Sequence, residues 1–280
     1  MSWINFNGNI ITAGTPIATA QDRGLRYGDG LFETLLFNRS ALQLWQLHTE
    51  RLWKGMSVFG FDIPPGFTKE YLEEQAIALA IKNNHSRAVI RINIIAASGG
   101  TFDTEKRTFH FIIESRPLER SFELNSTGLQ LCFYKEAIKP CDSFSNLKHN
   151  NYLPYLMAAS FAKEQLCSDA VVLNQHGRIC ETSIANIFLI KNKEIFTPAL
   201  TEGCIAGTMR AFLLEQLSQM GYQVHETSIT LANILQADEV FVSNAILPVK
   251  WVSTLQNSHY SNTEILNIYR QLEMILPSYF

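Results

Sequence analysis

Residues 25–37 read LRYGDGLFETLLF: an aromatic residue, a Gly-Asp-Gly turn and then an apolar strand that contains one glutamate. A hairpin turn needs only the glycines, so the turn does not explain the acidic side chain that follows it. An ionised carboxylate loses its hydration inside a core and is costly there unless it is paired. Glu33 therefore either faces solvent or lies where this strand borders a polar site.

The composition is that of an ordinary globular protein of 280 residues, a length typical of two domains. Hydrophobic residues make up 46% and charged residues 18% of the chain, and the net charge of −3 includes no basic block that would favour nucleic acid. The N-terminus lacks the pattern of a signal peptide, and no apolar run approaches the ~18–20 residues that cross a bilayer. The five cysteines are scattered without a CxxC pair, which argues against a zinc site and a disulfide framework. We expect a cytoplasmic protein that binds neither nucleic acid nor membrane.

The pattern of the first part of the chain alternates between helix and strand. TKEYLEEQAIALAIKNN predicts an amphipathic helix, and AVIRINIIAAS and RTFHFIIESRPL predict strands. A polar tract with a proline and a terminal glycine follows. We therefore predict an α/β or α+β fold with an N-terminal domain over residues 1–118, a linker over 119–127 and a C-terminal domain over 128–280.

Patterns in the second part predict two hairpins and several helices. AVVLNQHGRIC and IANIFLIKNKEIFTP each contain two β-rich runs around a short turn. Leu153, Met157 and Phe161 recur at helical spacing, with a proline in the first turn. Ser261 and Glu264 have the spacing of a capping box and predict the start of a further helix.

Two residues with possible chemical roles are a lysine and a glutamate, and each has a simpler structural alternative. Lys148, just before a helix, suits a Schiff-base lysine if its site keeps the amine neutral; otherwise it is a solvated loop lysine. Glu181, between the two hairpins, suits a carboxylate that keeps a pyridinium cofactor protonated; otherwise it is a turn carboxylate. Neither residue decides the question alone.

Two further features suit a phosphate group. Gly207 and Thr208 begin a predicted helix, whose N–H groups and dipole favour an anion, although many helices begin with such residues. Arg51 follows His48 early in another helix, and a guanidinium binds phosphate bidentately, although a surface arginine is the simpler alternative. Together, a lysine, a carboxylate, a Gly-Thr helix start and an arginine are the four parts that a pyridoxal phosphate site requires.

The chain resembles the fold-type IV pyridoxal-phosphate enzymes, which include branched-chain aminotransferases, D-amino-acid aminotransferases and 4-amino-4-deoxychorismate lyases. The resemblance implies pyridoxal 5'-phosphate as cofactor and a homodimer whose substrate cleft lies at the subunit interface. It also implies a smaller N-terminal α/β domain and a larger C-terminal domain with a β-barrel-like core. The motifs that carry it, in the family's order, are DRGLRYGDGLFET, HTERL, LKHNNYL, DAVVLNQHGRICETSIANIF, IAGTMR and LQADEVFVSNAILPV.

The resemblance assigns roles residue by residue. Lys148 matches the catalytic lysine, and Glu181 matches the carboxylate on the ring nitrogen. The other residues that match cofactor contacts are Arg51, Thr208 and Met209 at the phosphate, Asn244 and Ala245 in the neighbouring turn, and Tyr152 near the phenolic oxygen. The candidates for substrate contacts are Arg26, Tyr27, Glu33, Arg91 and His149. In this family the YGDG turn and the next strand form the floor of the substrate cleft, which would explain a glutamate in that strand.

The motifs leave three hypotheses about the reaction. SNAILPV and LKHNN resemble the lyase form, which implies a 4-amino-4-deoxychorismate lyase of folate biosynthesis that releases pyruvate and 4-aminobenzoate. The loop IIAASGGTFDTE instead has Ala97 and Thr101 where lyases often carry arginines, which keeps a branched-chain or D-amino-acid aminotransferase as the alternative. A non-catalytic relative is the third hypothesis, and the retained Lys148 and Glu181 argue against it.

Overall fold

The computed structural model describes residues 2–99, 107–119, 123–277 and 279. The described residues form two compact units, one of residues 2–99, 107–119, 147–151 and 279, and one of residues 123–146 and 152–277. Residues 147–151 belong to the first unit although they fall inside the range predicted for the C-terminal domain. Residues 120–122 of the expected linker lie outside the described residues, and the domain boundaries stay a prediction.

The first unit is an antiparallel six-stranded sheet in the order β2-β1-β6-β5-β3-β4, with helices α2 and α3 packed on one face. Its strands are β1 (Trp3–Phe6), β2 (Asn9–Thr12), β3 (Gly30–Asn38), β4 (Ala41–Leu42), β5 (Arg87–Ala96) and β6 (Phe109–Pro117). Its helices are α1 (Arg23–Tyr27), α2 (Trp45–Val58) and α3 (Lys69–Lys82).

Alternation of side chains along β5 gives the sheet its two faces. Every second residue of β5 is buried, among them Ile90, Ile92 and Ile94, as expected for a strand with one face on a core. The predicted helix is confirmed as α3, and the side chain of Thr68 caps it by accepting a hydrogen bond from the Tyr71 N–H at 3.1 Å. The opposite face of the sheet is thereby available for polar residues.

The YGDG turn ends α1 and starts β3. Gly28 has a φ of 63°, in the left-handed region that favours glycine, and it stops the helix. The Asp29 carboxylate accepts hydrogen bonds from Arg23 Nε at 3.0 Å and Arg107 Nη2 at 2.5 Å. The turn is therefore held by two guanidinium groups of the same unit as well as by its glycines.

Residues 147–151 extend the first sheet at the start of β3. The Phe32 N–H donates to the Lys148 carbonyl at 2.9 Å, and the Asn150 N–H donates to the Gly30 carbonyl, also at 2.9 Å. This edge of β3 is available because β4 pairs only with the far end of the strand. The pairing places Lys148 directly beside Phe32.

The second unit is a nine-stranded mixed sheet in the order β12-β11-β10-β13-β14-β7-β8-β9, with β15 paired to β14. Its strands are β7 (Leu129–Lys139), β8 (Asp169–Asn174), β9 (Ile179–Thr182), β10 (Asn186–Lys191), β11 (Glu194–Pro198), β12 (Val224–Thr227), β13 (Glu239–Ser243), β14 (Lys250–Leu255) and β15 (Ser258–His259). Its helices are α4 (Leu153–Glu164), a short 3-10 helix (Leu200–Glu202), α5 (Thr208–Gln219), α6 (Leu231–Leu235) and α7 (Thr263–Ile275).

This second sheet is curled. β9 is its end strand, yet β9 continues through a tight turn into β10 and lies against both β10 and β11. The Thr182 N–H donates to the Ala185 carbonyl at 2.8 Å in that turn. The curled sheet is the β-barrel-like core expected for the C-terminal part of the chain.

The two predicted hairpins are confirmed as β8–β9 and β10–β11. Asn192 and Lys193 both have positive φ, which suits the tight turn of the second hairpin. The helix predicted from Leu153 and Met157 is confirmed as α4, but those two side chains are exposed. Its buried residues are Tyr155, Ala158 and Ala162.

The prediction that Ser261 and Glu264 form a capping box at the start of α7 is wrong. Asn262 precedes the helix and makes no side-chain cap. Instead, Glu239 of β13 accepts hydrogen bonds from the backbone N–H groups of Glu264 and Ile265, both at 2.9 Å. A carboxylate from a neighbouring strand therefore satisfies the helix N-terminus, which the local sequence could not indicate.

Within the described part of the chain, no helix combines the length and apolar character that spanning a membrane requires.

Candidate active site

Lys148 and Arg91 share one aromatic ring in the first unit. Lys148 Nζ lies 4.5 Å from the centre of the Phe32 ring, and Arg91 Cζ lies 4.0 Å from it. Arg91 Nε also donates to Asn93 Oδ1 at 3.2 Å. Two cations over one ring are held by cation–π attraction, and they make this side of the sheet positive. A negatively charged ligand would be attracted to such a surface.

Glu33 lies on the helix side of the same strand and is 2% exposed. Its Oε1 accepts a hydrogen bond from Arg51 Nε at 2.8 Å, and its Oε2 accepts one from Arg51 Nη2 at 2.5 Å. His48 Nδ1 lies 2.6 Å from the same Oε2. The glutamate in the apolar strand is thus paired inside the protein, with α2 supplying both partners.

Burial and neighbouring charges shift the pKa values of Glu33 and His48. Burial opposes ionisation of Glu33, but the Arg51 guanidinium and the bonds from His48 outweigh it and lower the pKa of Glu33 from 4.5 to about 2. Burial, with the nearby charges of Arg51 and Lys148, lowers the pKa of His48 although Glu33 opposes that shift. His48 is therefore neutral near pH 7 and donates its Nδ1 proton, while Glu33 and Arg51 form the ion pair.

The remaining substrate candidates lie at the start of β3 and in α1. His149 pairs with Leu31 as part of the added edge segment. Arg26 Nε donates to the Ala20 carbonyl at 2.6 Å, and Tyr27 is exposed with Arg23 stacked near its ring. The roles of these residues stay predictions.

Glu181 is the most heavily hydrogen-bonded carboxylate of the second unit, and it lies on β9. Its Oε1 accepts from Lys139 Nζ at 2.8 Å and from the Tyr155 hydroxyl at 2.5 Å. The Ile205 N–H is 3.1 Å from both carboxylate oxygens. Among the residues that the structure describes, Oε2 has one further contact, with Asn186 Nδ2 at 3.5 Å. Oε1 is thus crowded with donors, and Oε2 retains capacity for another.

Lys139 forms a buried ion pair with this carboxylate. Its Nζ also donates to the Ser145 carbonyl at 3.0 Å and to the Tyr155 hydroxyl, so the three ammonium protons have three acceptors. Burial works against the charged form, but the charge and hydrogen bond of Glu181, together with Cys180 and Cys204, outweigh burial and raise the pKa of Lys139. Burial and the charge of Glu181 raise the pKa of Tyr155 well above its ordinary value, so the phenol stays protonated.

The start of α5 is a compact N-terminus built around Gly207. Thr208 and Met209, the first residues of the helix, are both buried. A Cβ on Gly207 would clash with Asn186 Oδ1, so only glycine fits there. Asn186 in turn donates from Nδ2 to the Ile205 carbonyl at 2.9 Å. The free backbone N–H groups and the dipole at such a helix N-terminus favour an anion such as phosphate.

The turn after β13 is closed by Asn244. Its Oδ1 accepts hydrogen bonds from the N–H groups of Ile246 at 2.9 Å and Leu247 at 2.8 Å, which sets the backbone around Ala245. Ser243, just before it, is 1% exposed, and its hydroxyl has no hydrogen-bond partner among the residues that the structure describes. A buried hydroxyl without a partner is uncommon in proteins and suits a site that completes itself with a ligand.

Tyr152 lies at the N-terminus of α4. Its ring centre is 4.4 Å from that of Tyr155, and its carbonyl accepts from the Tyr155 and Leu156 N–H groups. Tyr152 therefore packs, with its ring tilted by 30°, against a residue that binds Glu181. The proposed role of Tyr152 at the cofactor's phenolic oxygen stays a prediction.

Sequence reasoning missed Lys139, Tyr155, Asn186 and Ser243. Lys139 is nine residues before Lys148 and reads as the end of a strand, so nothing local separates it from a surface lysine. A shift of register in β7 before Ile138 and the pairing of β7 with β8 bring it to Glu181. Only its position after an apolar run could have suggested burial.

The residues present fit pyridoxal phosphate. Glu181 offers a carboxylate with one available oxygen, which suits a protonated ring nitrogen. In the second unit, the Ser243 hydroxyl and the tight start of α5 are groups of the kind that can bind phosphate, and the Arg51 guanidinium of the first unit is another such group.

Comparisons with known proteins agree with this chemistry. The model of the class IV amino-transferase family matches residues 30–254. An aminodeoxychorismate lyase of Vibrio harveyi is 29% identical over 252 residues, which cover 84% of this chain and 88% of that protein. The branched-chain amino acid aminotransferase of Escherichia coli has the same fold, with a TM-score of 0.89 at 21% identity over 98% of this chain and 94% of that one. A branched-chain amino acid aminotransferase of T.th. solved with pyridoxamine 5'-phosphate gives a TM-score of 0.86 at 19% identity, over 99% of this chain and 95% of that one.

The fold and the site define a fold-type IV pyridoxal-phosphate enzyme. Because the family model covers most of the sequence, the chain belongs to the class IV aminotransferase family. Enzymes of this family and the aminodeoxychorismate lyases use pyridoxal phosphate, so the expected cofactor is confirmed. The family includes both lyases and aminotransferases, and membership leaves the reaction itself open.

Proposed function

We propose that the protein is a 4-amino-4-deoxychorismate lyase that releases pyruvate and forms 4-aminobenzoate for folate biosynthesis. The observation that carries the proposal is the similarity to the Vibrio harveyi lyase over most of both chains. The turn at Asn244 supports it, because SNAILPV has the lyase form at this position. Asn244 closes this turn with its own side-chain oxygen, an acceptor that holds such a turn more strongly than the threonine of Gly-Thr-Ala, which is typical of branched-chain enzymes.

The residues of the chain divide the work of this reaction. When bound, pyridoxal phosphate forms a covalent bond with an amine and accepts the electrons released at the adjacent carbon. Lys148 would take the proton from the substrate carbon that bears the amine. Glu181 would hold the proton on the ring nitrogen through Oε2, because Oε1 already has its donors. Arg51 and the start of α5 would bind the phosphate.

The proposed reaction balances without a second substrate. The ring carbon that bears the amine loses its proton. The bond between the neighbouring ring carbon and the enolpyruvyl oxygen then breaks. The enolpyruvate takes up a proton and leaves as pyruvate, while the ring becomes aromatic 4-aminobenzoate. Arg91 and His149 are the proposed partners of the substrate carboxylates. The position of Arg91 beside the Phe32 ring, which Lys148 also contacts, supports its part of the proposal.

A branched-chain or D-amino-acid aminotransferase is the second candidate. Ala97 occupies a position where lyases often carry an arginine, and its backbone N–H donates to the Thr108 carbonyl at 3.0 Å, as in an ordinary loop. Thr101, the other substituted position, lies outside the described residues. Loss of these cations weakens the recognition of a substrate with two carboxylates.

One pair of assays tests the proposal. The lyase should turn over 4-amino-4-deoxychorismate without any 2-oxo acid, and pyruvate and 4-aminobenzoate should appear in equal amounts. A parallel assay offers leucine or D-alanine with 2-oxoglutarate, which an aminotransferase would require. Turnover of an amino acid together with inertness toward the aminochorismate would replace the lyase by the aminotransferase.

A cytoplasmic homodimer completes the proposal. Leu153, Leu156 and Met157 form an exposed apolar face on α4, and a second copy of the chain would cover it. Sedimentation should give a dimer, and Leu156→Glu should weaken it because a charge would be buried at the contact. A wild type that sediments as an active monomer would contradict the dimer.

A further inference from the structure

Lys139 stands out among the buried groups because no step of the proposed reaction uses it. It is 5% exposed at the end of β7, and its ammonium group contacts Glu181, Tyr155 and the Ser145 carbonyl. A buried lysine whose three ammonium protons all have acceptors is ionised. Because an ammonium nitrogen has no free lone pair, this lysine is unsuited to act as a nucleophile. Its only charged partner among the described residues within hydrogen-bond distance is Glu181.

We propose that Lys139 is a positioning residue that acts on the cofactor through Glu181. Lys139 and Tyr155 together fix Oε1 of the carboxylate and leave Oε2 for the ring nitrogen. The ammonium ion also neutralises part of the carboxylate's charge before the ring arrives. The inference rests on the proposed role of Glu181 at the ring nitrogen.

Partial neutralisation of the Glu181 carboxylate by Lys139 should lower the pKa of the ring nitrogen. A carboxylate that already binds one cation attracts a second cation less strongly, because the two positive charges repel each other. The ring nitrogen should therefore release its proton more readily in this protein than beside a glutamate without a lysine. Lys139 thus limits how strongly the cofactor draws electrons from the substrate.

The other titratable groups around the carboxylate do not compete with this effect. They are Tyr155 of α4, Cys180 of β9 and Cys204 of the loop before α5. Burial raises the pKa of both thiols, to about 12 for Cys204, and burial also raises the pKa of the phenol. These three groups stay neutral over the pH range in which the ring nitrogen is titrated, which leaves Lys139 as the charged neighbour of Glu181 among the described residues.

The test is ¹⁵N NMR of holoenzyme loaded with pyridoxal phosphate labelled at the ring nitrogen. In Lys139→Met the nitrogen should keep its proton to a pH about one to two units higher than in the wild type, the scale of a close charge interaction. Tyr155→Phe, which removes a neutral donor, should move the titration in the same direction by less. It also carries the test if Lys139→Met does not fold.

Two variants separate this effect from a general loss of structure. Arg178→Met removes the cation beside another buried carboxylate, Glu202, and should lower stability without moving the ¹⁵N titration. Glu181→Gln should itself change the ¹⁵N shift; if it does not, the proposed role of Glu181 fails. If Glu181→Gln changes the shift but Lys139→Met and Tyr155→Phe titrate like the wild type, or lose the proton earlier, the inference about Lys139 is overturned. It is overturned as well if the wild type and these two variants all keep the proton over the whole range.

Discussion

The first unit holds Glu33 with a guanidinium and an imidazole, whereas the second holds Glu181 with an ammonium and a phenol. Both oxygens of Glu33 have strong donors at 2.5–2.8 Å, so no further ligand is expected on this carboxylate. Glu181 has its donors concentrated on Oε1, and the contacts of Oε2 within the described part of the chain are the shared Ile205 N–H and a long contact from Asn186. A buried carboxylate thus serves structure when short bonds from charged or polar side chains hold both oxygens, and it can serve a ligand when one oxygen has only longer contacts with neutral groups.

The same contrast separates the two lysines. Lys139 is tied to a carboxylate by hydrogen bonds, whereas Lys148 lies over the face of the Phe32 ring. A lysine bound to a carboxylate stays protonated, while an aromatic face stabilises the cation less. Lys148 is therefore the better candidate for a bond to the cofactor, in agreement with the family motif.

The largest expected effect concerns which lysine bonds the cofactor. Borohydride reduction of the holoenzyme followed by peptide mapping should find the cofactor on Lys148, and Lys148→Ala should abolish turnover. Lys139→Met should still carry the label on Lys148. A label found on Lys139 would reverse the assignment of the two lysines.

The next effect concerns Arg51. Arg51→Met should weaken cofactor binding by about 1.5–3 kcal/mol, the contribution of a hydrogen bond to a charged group. It should also lower the free energy of unfolding of the apoprotein by about 3–5 kcal/mol, because Glu33 is left buried without its counter-ion. Both quantities are measured by cofactor titration and by urea unfolding.

The double variant Arg51→Met/Glu33→Gln gives the control for Arg51. It removes both charges, so it should recover most of the stability but none of the cofactor affinity. Recovery of affinity together with stability would show that Arg51 acts only through the fold.

A smaller effect follows from the pKa of Glu33. Its carboxyl has a pKa of about 2 in the folded chain and an ordinary value of 4.5. Because the folded value is depressed, the stabilisation is complete above the ordinary pKa and is lost as the pH falls toward 2. The stability advantage of the wild type over Glu33→Gln should shrink by about 3 kcal/mol over this window. A difference that does not change with pH would contradict the ion pair.

The smallest expected effect concerns Gly207. Gly207→Ala places a Cβ against Asn186 Oδ1 and should lower the free energy of unfolding by about 1–3 kcal/mol. Displacement of Asn186 should also weaken cofactor binding, since Asn186 contacts Glu181. Gly66→Ala is the matched control because nothing lies within 4 Å of its Cβ, and it should be near neutral. Equal stability of the two variants would show that the start of α5 can adjust.

The sequence by itself determined the class of fold, the cofactor and most of the secondary structure. Alternation along β5, the two hairpin turns and the helix of α3 depend on neighbours in sequence, so local patterns indicate them. The glutamate in β3 was also recognised as a residue that requires a partner. Its partner is Arg51, a residue that sequence reasoning assigned separately to phosphate.

Tertiary structure decided how the charged groups are paired. Lys139 meets Glu181 only because β7, β8 and β9 are neighbours in the curled sheet, and Lys148 meets Phe32 only because residues 147–151 join the edge of β3. Glu239 caps α7 by the same kind of distant contact. The energy of a buried charge depends on the groups that surround it in space, and a linear pattern contains no record of them. For this reason the sequence indicated which residues could be functional, and the fold determined which carboxylate has an oxygen available for a ligand.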